Sequence, residues 1–285
     1  MNIKLNTEDY KSYHEDYEQF LTNIEDPTTQ NDIINHLTPS QSYPEFFTDE
    51  EIDWLKGFAF SQCRYLRVNP NGTFFISGNF TRIFEKFADK LETILPGCKE
   101  SIVVKGNYFI TPEQYGLHND SIRKDEYTIN LNTVKEDDQK RKWVPWRNVI
   151  IPLMVSPQVE SHIVFFKQRH VSWFTVYDHG ADPSKYAKNY PATIDYSTIK
   201  FETCEGTQKI EDNLIPYNKD HYQKYLSYTP YRRLTGLTVE NTFEWKPKCP
   251  MVFDCYQLHA TNQGINNSIW KTKMGLLLRF FRKVK

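Results

Sequence analysis

His118 and Asp120 flank a single asparagine in Tyr115-Gly-Leu-His-Asn-Asp120. Strand alternation would turn Asn119 to solvent and leave one imidazole and one carboxylate on a common side. Two donors hold a metal poorly, so a third must come from elsewhere. His14 and His36 lie in a polar arm, His170, His179 and His221 in turn-like or polar surroundings, and His162 opens a strand-like run. His259 differs: it ends the apolar run Pro250-Met-Val-Phe-Asp-Cys-Tyr-Gln-Leu-His259, just before a polar loop. Two imidazoles and one carboxylate on one face of an octahedral ion leave three positions open. A ferrous ion needs that arrangement when a co-substrate and dioxygen must share it. Zinc sites are more often tetrahedral with one open position.

The open positions carry a second expectation. A 2-oxo acid would chelate the ion through its keto and C1 carboxylate oxygens, and its far carboxylate would need a fixed cation. Lys273-Met-Gly275-Leu-Leu277-Leu-Arg279 supplies one. In a strand, Lys273, Gly275, Leu277 and Arg279 point to the same face, and Gly275 takes no space beside the cation. Two cations on a core face are costly unless an anion meets them. Two alternatives stay open: Lys271 as the anchor, and Arg279 in an internal ion pair with Asp254 or Glu244. Tyr108 would share the phase of His118 if its strand ran unbroken, which makes it a candidate co-substrate contact. Pro112 and Gly116 interrupt that phase.

These residues need elements to position them. Residues 1–45 are acidic and polar, with Pro27, Pro39 and Pro44 as breaks, and read as a poorly packed arm or a lid. The remainder, 46–285, reads as a single domain. Thr48 with Glu51 forms a capping box that opens a helix to about Cys63. "TFFIS" at 73–77 is a short strand, and Asn79 starts a second helix to about Leu95. Apolar β-branched and aromatic runs follow at 101–111, 148–156, 161–168, 172–178, 243–255 and 273–281. A stretch dense in Tyr, Asn, Asp and Pro at about 179–235 reads as a long insertion. Helices first and strands later, without regular alternation, predict an α+β fold: a jelly roll (double-stranded β-helix) with N-terminal helices packed on it. "QKRKWVPWR" (139–147) reads as an exposed loop anchored by Trp143 and Trp146.

Bulk properties remove several classes. Lys+Arg 35 against Asp+Glu 36 gives a formal net charge of −1, so no basic field favours nucleic acid. No apolar run approaches the ~20 residues of a membrane span. The segment "MNIKLNTEDY" has no secretory pattern. Five cysteines, odd in number and without CxxC spacing, argue against a disulfide framework and for a reducing cytoplasm.

His118-Asn-Asp120, then His259 after "FDCYQLHATN", then Lys273 on a final strand, resembles the Fe(II)/2-oxoglutarate-dependent oxygenase superfamily, in its phytanoyl-CoA dioxygenase-like flavour. The pair Lys273 and Arg279 is similar to the dealkylating branch, where two cations on that strand bracket the co-substrate. The resemblance covers roughly residues 100–285. It implies iron on His118, Asp120 and His259, and the far carboxylate of 2-oxoglutarate on Lys273, with Arg279 assisting. It further implies hydroxylation of a small-molecule substrate, a peptide being the alternative, with release of succinate and carbon dioxide. Asp120 argues against the halogenating variants, where a small residue stands there. Phytanoyl-type relatives mostly carry Arg where this chain has Lys273, as the prolyl hydroxylase branch has Lys; a lysine cannot form the bidentate fork. Two rivals remain: a cupin-like metal enzyme without 2-oxoglutarate, and a non-catalytic jelly-roll binding protein.

Overall fold

The computed structural model describes residues 26–62, 66–68, 73–77, 81–111, 116–120, 143–157, 159–169, 208–209, 219–227, 234, 237–261 and 272–284. Four α-helices are described: α1 (Pro27–Ile34), α2 (Asp49–Ser61), α3 (Thr81–Glu92) and α4 (Lys219–Tyr225). The strands are β1 (Gln41–Ser42), β2 (Leu66–Val68), β3 (Phe74–Ser77), β4 (Ile102–Thr111), β5 (Trp143–Val155), β6 (His162–Arg169), β7 (Gln208–Lys209), β8 (Thr238–Glu244), β9 (Met251–Asp254), β10 (Gln257–Thr261) and β11 (Lys273–Lys283). They form two sheets, ordered β1-β9-β5-β11-β4-β3-β2 and β10-β6-β8-β7. Every pairing within them is antiparallel.

Strand β11 shows how the layers are built. It lies between β4 and β5 and is buried along most of its length. Its even residues Met274, Leu276, Leu278 and Phe280 join a cluster with Leu55 and Ala59 of α2 and Ile83, Phe87 and Leu91 of α3. Its odd residue Leu277 joins Ile150, Met251 and Phe253 of the same sheet with Ile163 and Phe165 of the other. The two faces of one strand thus carry the helix layer and the inter-sheet core. Each large side chain buried there contributes about 1.5–3 kcal/mol.

The helices form for local reasons. The Thr48 hydroxyl accepts the Glu51 N–H at 3.2 Å, and the Glu51 carboxylate accepts the Thr48 N–H at 2.8 Å, the reciprocal cap read from sequence. Ile52, Leu55 and Ala59 then recur at helical spacing on the buried face. Gly97, in a left-handed conformation with φ +88°, turns the chain after α3 toward β4.

Four expectations need correction or completion. From Asp26 onward the expected arm is docked: Ile33 packs with Val144 and Tyr256, and Gln41 and Ser42 pair with β9. Its polar groups looked like solvent-facing ones but mate with buried charges described below. Trp143 is 1% exposed and opens β5, so 143–147 is strand, not loop. The run 243–255 is two strands, β8 and β9, in different sheets. The run at 172–178 and most of the 179–235 insertion lie outside the described residues. No described helix is long and apolar enough to cross a membrane.

Gly275 is where packing is tightest. A Cβ there would lie 2.6 Å from Trp245 Cη2 and 2.8 Å from Phe109 Cζ. The glycine therefore makes room for the Trp245 indole rather than for the lysine two residues before it. Gly275→Ala is expected to cost about 1–3 kcal/mol by overpacking. Urea denaturation of the variant checks this.

Candidate metal centre

His118 and His259 are brought together by backbone. The His118 N–H donates to the His259 carbonyl at 3.0 Å, and the His259 N–H returns the bond at 2.9 Å. This is an isolated antiparallel bridge with reciprocal bonds, so both side chains stand on one face. The Asp120 N–H donates to the Cys255 carbonyl at 3.2 Å, which holds the His-Asn-Asp segment alongside the turn into β10. Two residues on from His118, Asp120 returns to the same face.

The two imidazoles are oriented in the same way. His118 Nδ1 lies 2.6 Å from the Gly116 carbonyl, and His259 Nδ1 lies 2.9 Å from the Gln257 carbonyl. A carbonyl only accepts, so each Nδ1 carries a proton, and each Nε2 is turned toward Asp120. Those Nε2 atoms lie 3.5 Å and 3.4 Å from the two Asp120 carboxylate oxygens. The ring centroids are 4.3 Å apart, and all three donor atoms fall within 4.8 Å of one another. Phe165 lies nearly parallel to the His259 ring at 5.5 Å, and Phe253 meets it edge-on at 5.0 Å.

Electrostatics suit the same role. Burial, then the neighbouring His259, pushes the His118 pKa down against the pull of Asp120, so the ring stays neutral. Burial alone would raise the Asp120 carboxyl, but the two imidazoles hold it well below the usual carboxylate range. Two buried imidazoles with a carboxylate held in its ionised form are a donor set that fits a divalent transition metal.

The odd face of β11 lies beside this cluster. Arg279 Nη2 is 3.9 Å from Asp120 Oδ1, so its ion-pair partner is Asp120 rather than Asp254 or Glu244. Its Nε is buried and has no hydrogen-bond partner among the described residues. Lys273 is 1% exposed; its Nζ donates to Ser161 Oγ at 3.0 Å and lies 4.7 Å from the Trp245 ring centroid. No carboxylate among the described residues pairs with it. Burial pushes its pKa down to about 7. Lys271 lies outside the described residues.

Two expectations fall differently. Tyr108 is on the opposite face of β4, in the helix-side cluster, and its hydroxyl donates to the Leu55 carbonyl at 2.9 Å. It is therefore turned away from the metal cluster. Tyr108→Phe is expected to cost about 1 kcal/mol of stability and to leave co-substrate affinity unchanged, checked by denaturation and ligand titration. Asn119 is fully buried rather than solvent-facing, because the segment is covered on both sides. Of the other histidines, His36 sits by Asp32 of α1 and His162 against Tyr225. His14, His170 and His179 and the side chain of His221 lie outside the described residues. Sequence reasoning missed Ser161 and Trp245. Ser161 adjoins the strand run it was assigned to, and Trp245 was hidden inside an apparent single strand.

No protein-family profile matches the sequence, and no curated protein matches it. Solved structures similar over most of the chain include the non-heme α-ketoglutarate-dependent epimerase SnoN from nogalamycin biosynthesis. It has TM-score 0.47 and 8% identity, covering 90% of this chain and 84% of that one. A Pseudomonas putida prolyl-4-hydroxylase gives TM-score 0.44 and 10% identity, covering 88% and 97%. EctD from S. alaskensis gives TM-score 0.44 and 12% identity, covering 92% and 80%. These likenesses are distant, and the ground for a functional reading is the geometry of the site itself.

Proposed function

We propose that the chain is an Fe(II)- and 2-oxoglutarate-dependent oxygenase on a double-stranded β-helix, hydroxylating a small molecule. The observation that carries this reading is a pair of cations on one strand face beside a buried His-Asp-His cluster. Arg279 adjoins the cluster, and Lys273 is a buried ammonium that no carboxylate among the described residues meets. A buried ammonium without a counter-anion is expensive. A dicarboxylate with one end on the metal would answer it, and Ser161 would share that carboxylate. The facing antiparallel sheets support the jelly-roll reading, and the three described cysteines, all buried and free, support a reducing cytoplasm.

His118, Asp120 and His259 would hold the ferrous ion on one side and leave its other side open to ligands. When bound, iron with 2-oxoglutarate supplies oxidation of a C–H bond by dioxygen, with succinate and carbon dioxide as co-products. The chain's own part is orientation and exclusion of water. The Gly116 and Gln257 carbonyls fix both imidazole tautomers, and Phe165, Phe253 and Trp245 wall the interior. Lys273 and Ser161 would fix the far end of the co-acid, so that its keto end faces the metal. Arg279 would offset negative charge at the Asp120 side. The test is succinate release from 2-oxoglutarate by the Fe(II)-loaded chain, compared with Lys273→Ala. Iron-dependent succinate formation, lost in the variant, supports the reading. Iron binding without succinate formation would favour a metal enzyme that does not use 2-oxoglutarate. Absence of iron binding would favour a binding protein.

A further inference from the structure

A buried charge network stands behind His259. Arg147 and Arg169 meet Asp254 and Glu240, all at most 3% exposed, so two positive charges face two negative ones. Asp254 takes Arg169 Nε at 2.9 Å, and Glu240 Oε1 takes Arg169 Nη2 at 3.3 Å. The other Glu240 oxygen, Oε2, is shared. It accepts the Ser40 N–H and hydroxyl, each at 2.7 Å, and Gln257 Nε2 at 2.6 Å. One carboxylate oxygen thus joins the N-terminal segment to the strand that carries the metal histidine.

Gln257 acts at an irregularity in the sheet. Gln257 pairs with Arg169 and His259 with Phe165, so two steps along β10 correspond to four along β6. Such a bulge leaves backbone carbonyls outside the ladder. Gln257 Nε2 donates to the Phe166 carbonyl at 2.9 Å, and Arg169 Nη1 donates to those of Phe166 and Lys167. The residue just before the bulge, Phe165, stacks on the His259 ring. The backbone carbonyl of Gln257 receives His259 Nδ1. The Phe165 stack and the Gln257 carbonyl therefore both issue from the bulge that Gln257 and Arg169 pin.

The N-terminal segment is fastened to the same network. Arg147 Nη2 donates to the His36 carbonyl and Arg169 Nη2 to the Thr38 carbonyl, both at 2.9 Å. Asn241 Nδ2 donates to the Ser40 carbonyl at 2.8 Å. We propose that Gln257 and Glu240 are positioning residues for the metal ligand His259, and that they couple docking of the 36–42 segment to metal binding. This rests on the metal-centre reading. Coupling of this kind is reciprocal: whatever the docked segment adds to metal affinity, bound metal adds to docking.

The experiment uses the full chain and Mn(II) alone, titrated by calorimetry and followed by amide hydrogen exchange. Gln257→Met keeps the backbone carbonyl and removes only the side-chain clamp. It is expected to weaken Mn(II) binding about 10-fold, within the range for residues that support a ligand. Ser40→Ala, a milder change, is expected to weaken it about two- to fivefold. Tyr108→Phe, a stability control in the helix layer, is expected to leave it unchanged. In the wild type, Mn(II) is expected to raise protection of the Ser40 amide, and in His118→Ala it is not. Wild-type affinity in Gln257→Met and Ser40→Ala, with no effect of Mn(II) on the Ser40 amide, would overturn the proposal while leaving the metal centre standing. A wild-type chain that takes up no Mn(II) would overturn both.

Discussion

Asp120→Ala is expected to weaken Fe(II) binding by more than ~100-fold, beyond the 10- to 100-fold typical of residues that only support a ligand. It is also expected to bring succinate formation to background. The reason is electrostatic as much as geometric. Asp120 is the anionic member of the set and stands within 3.5 Å of both Nε2 atoms. Without it, two neutral imidazoles and the nearby Arg279 guanidinium would face the ion. Two neutral donors beside a buried cation make a poor site for a divalent metal. Asp120→Asn, which keeps the shape and removes the charge, is expected to lose nearly as much. Anaerobic Fe(II) titration of both variants separates the charge from the shape.

The second large effect belongs to Lys273. Lys273→Met is expected to abolish saturation by 2-oxoglutarate while leaving Fe(II) affinity near that of the wild type. The same change is expected to stabilise the ligand-free protein by about 1–4 kcal/mol, because an apolar chain of similar length replaces a buried charge. Loss of function with gain of stability is a signature that general structural damage does not produce. The pH dependence has a definite sign. Folding lowers the Lys273 pKa from its ordinary 10.5 to about 7. Between those values the unfolded chain binds more protons than the folded one. The lysine's contribution therefore makes the ligand-free protein more stable as pH rises from about 7 toward 10.5. That contribution is expected to vanish in Lys273→Met. Binding of the dicarboxylate runs the other way: it needs the ammonium, so affinity is expected to weaken as pH climbs above about 7. Denaturation midpoints and ligand titrations across that range read both slopes.

Parity explains what was legible in the sequence and what was not. Along β11 the alternation held, because a regular strand leaves no freedom in which face a residue takes. Lys273, Leu277 and Arg279 lie on one face, and Met274, Leu276 and Leu278 on the other. His118 and Asp120 share a face although they lie outside the strands, and His259 met them through an isolated backbone bridge that no local pattern announces. Parity failed for Tyr108, which is an even number of residues from His118 yet faces the helix layer. Burial of Asn119 was hidden because hydrophobicity says nothing about a polar residue covered from both sides. The segment at 26–45 misled for a related reason. Polar residues there look like solvent-facing groups, but the His36 and Thr38 carbonyls and the Ser40 hydroxyl meet Arg147, Arg169 and Glu240, which are buried in strands far along the chain. Gly275 was correctly singled out, yet the side chain that fills its space, Trp245, comes from the end of β8.

The most direct measurement is a crystal structure with Mn(II) and N-oxalylglycine, a non-reactive analogue of 2-oxoglutarate. The expected result is the metal bonded to Nε2 of His118, Nε2 of His259 and the Asp120 carboxylate. The far carboxylate of the analogue is expected on Lys273 Nζ and Ser161 Oγ. Metal bound away from those three side chains, or an analogue whose far carboxylate rests elsewhere than on Lys273, would contradict the account.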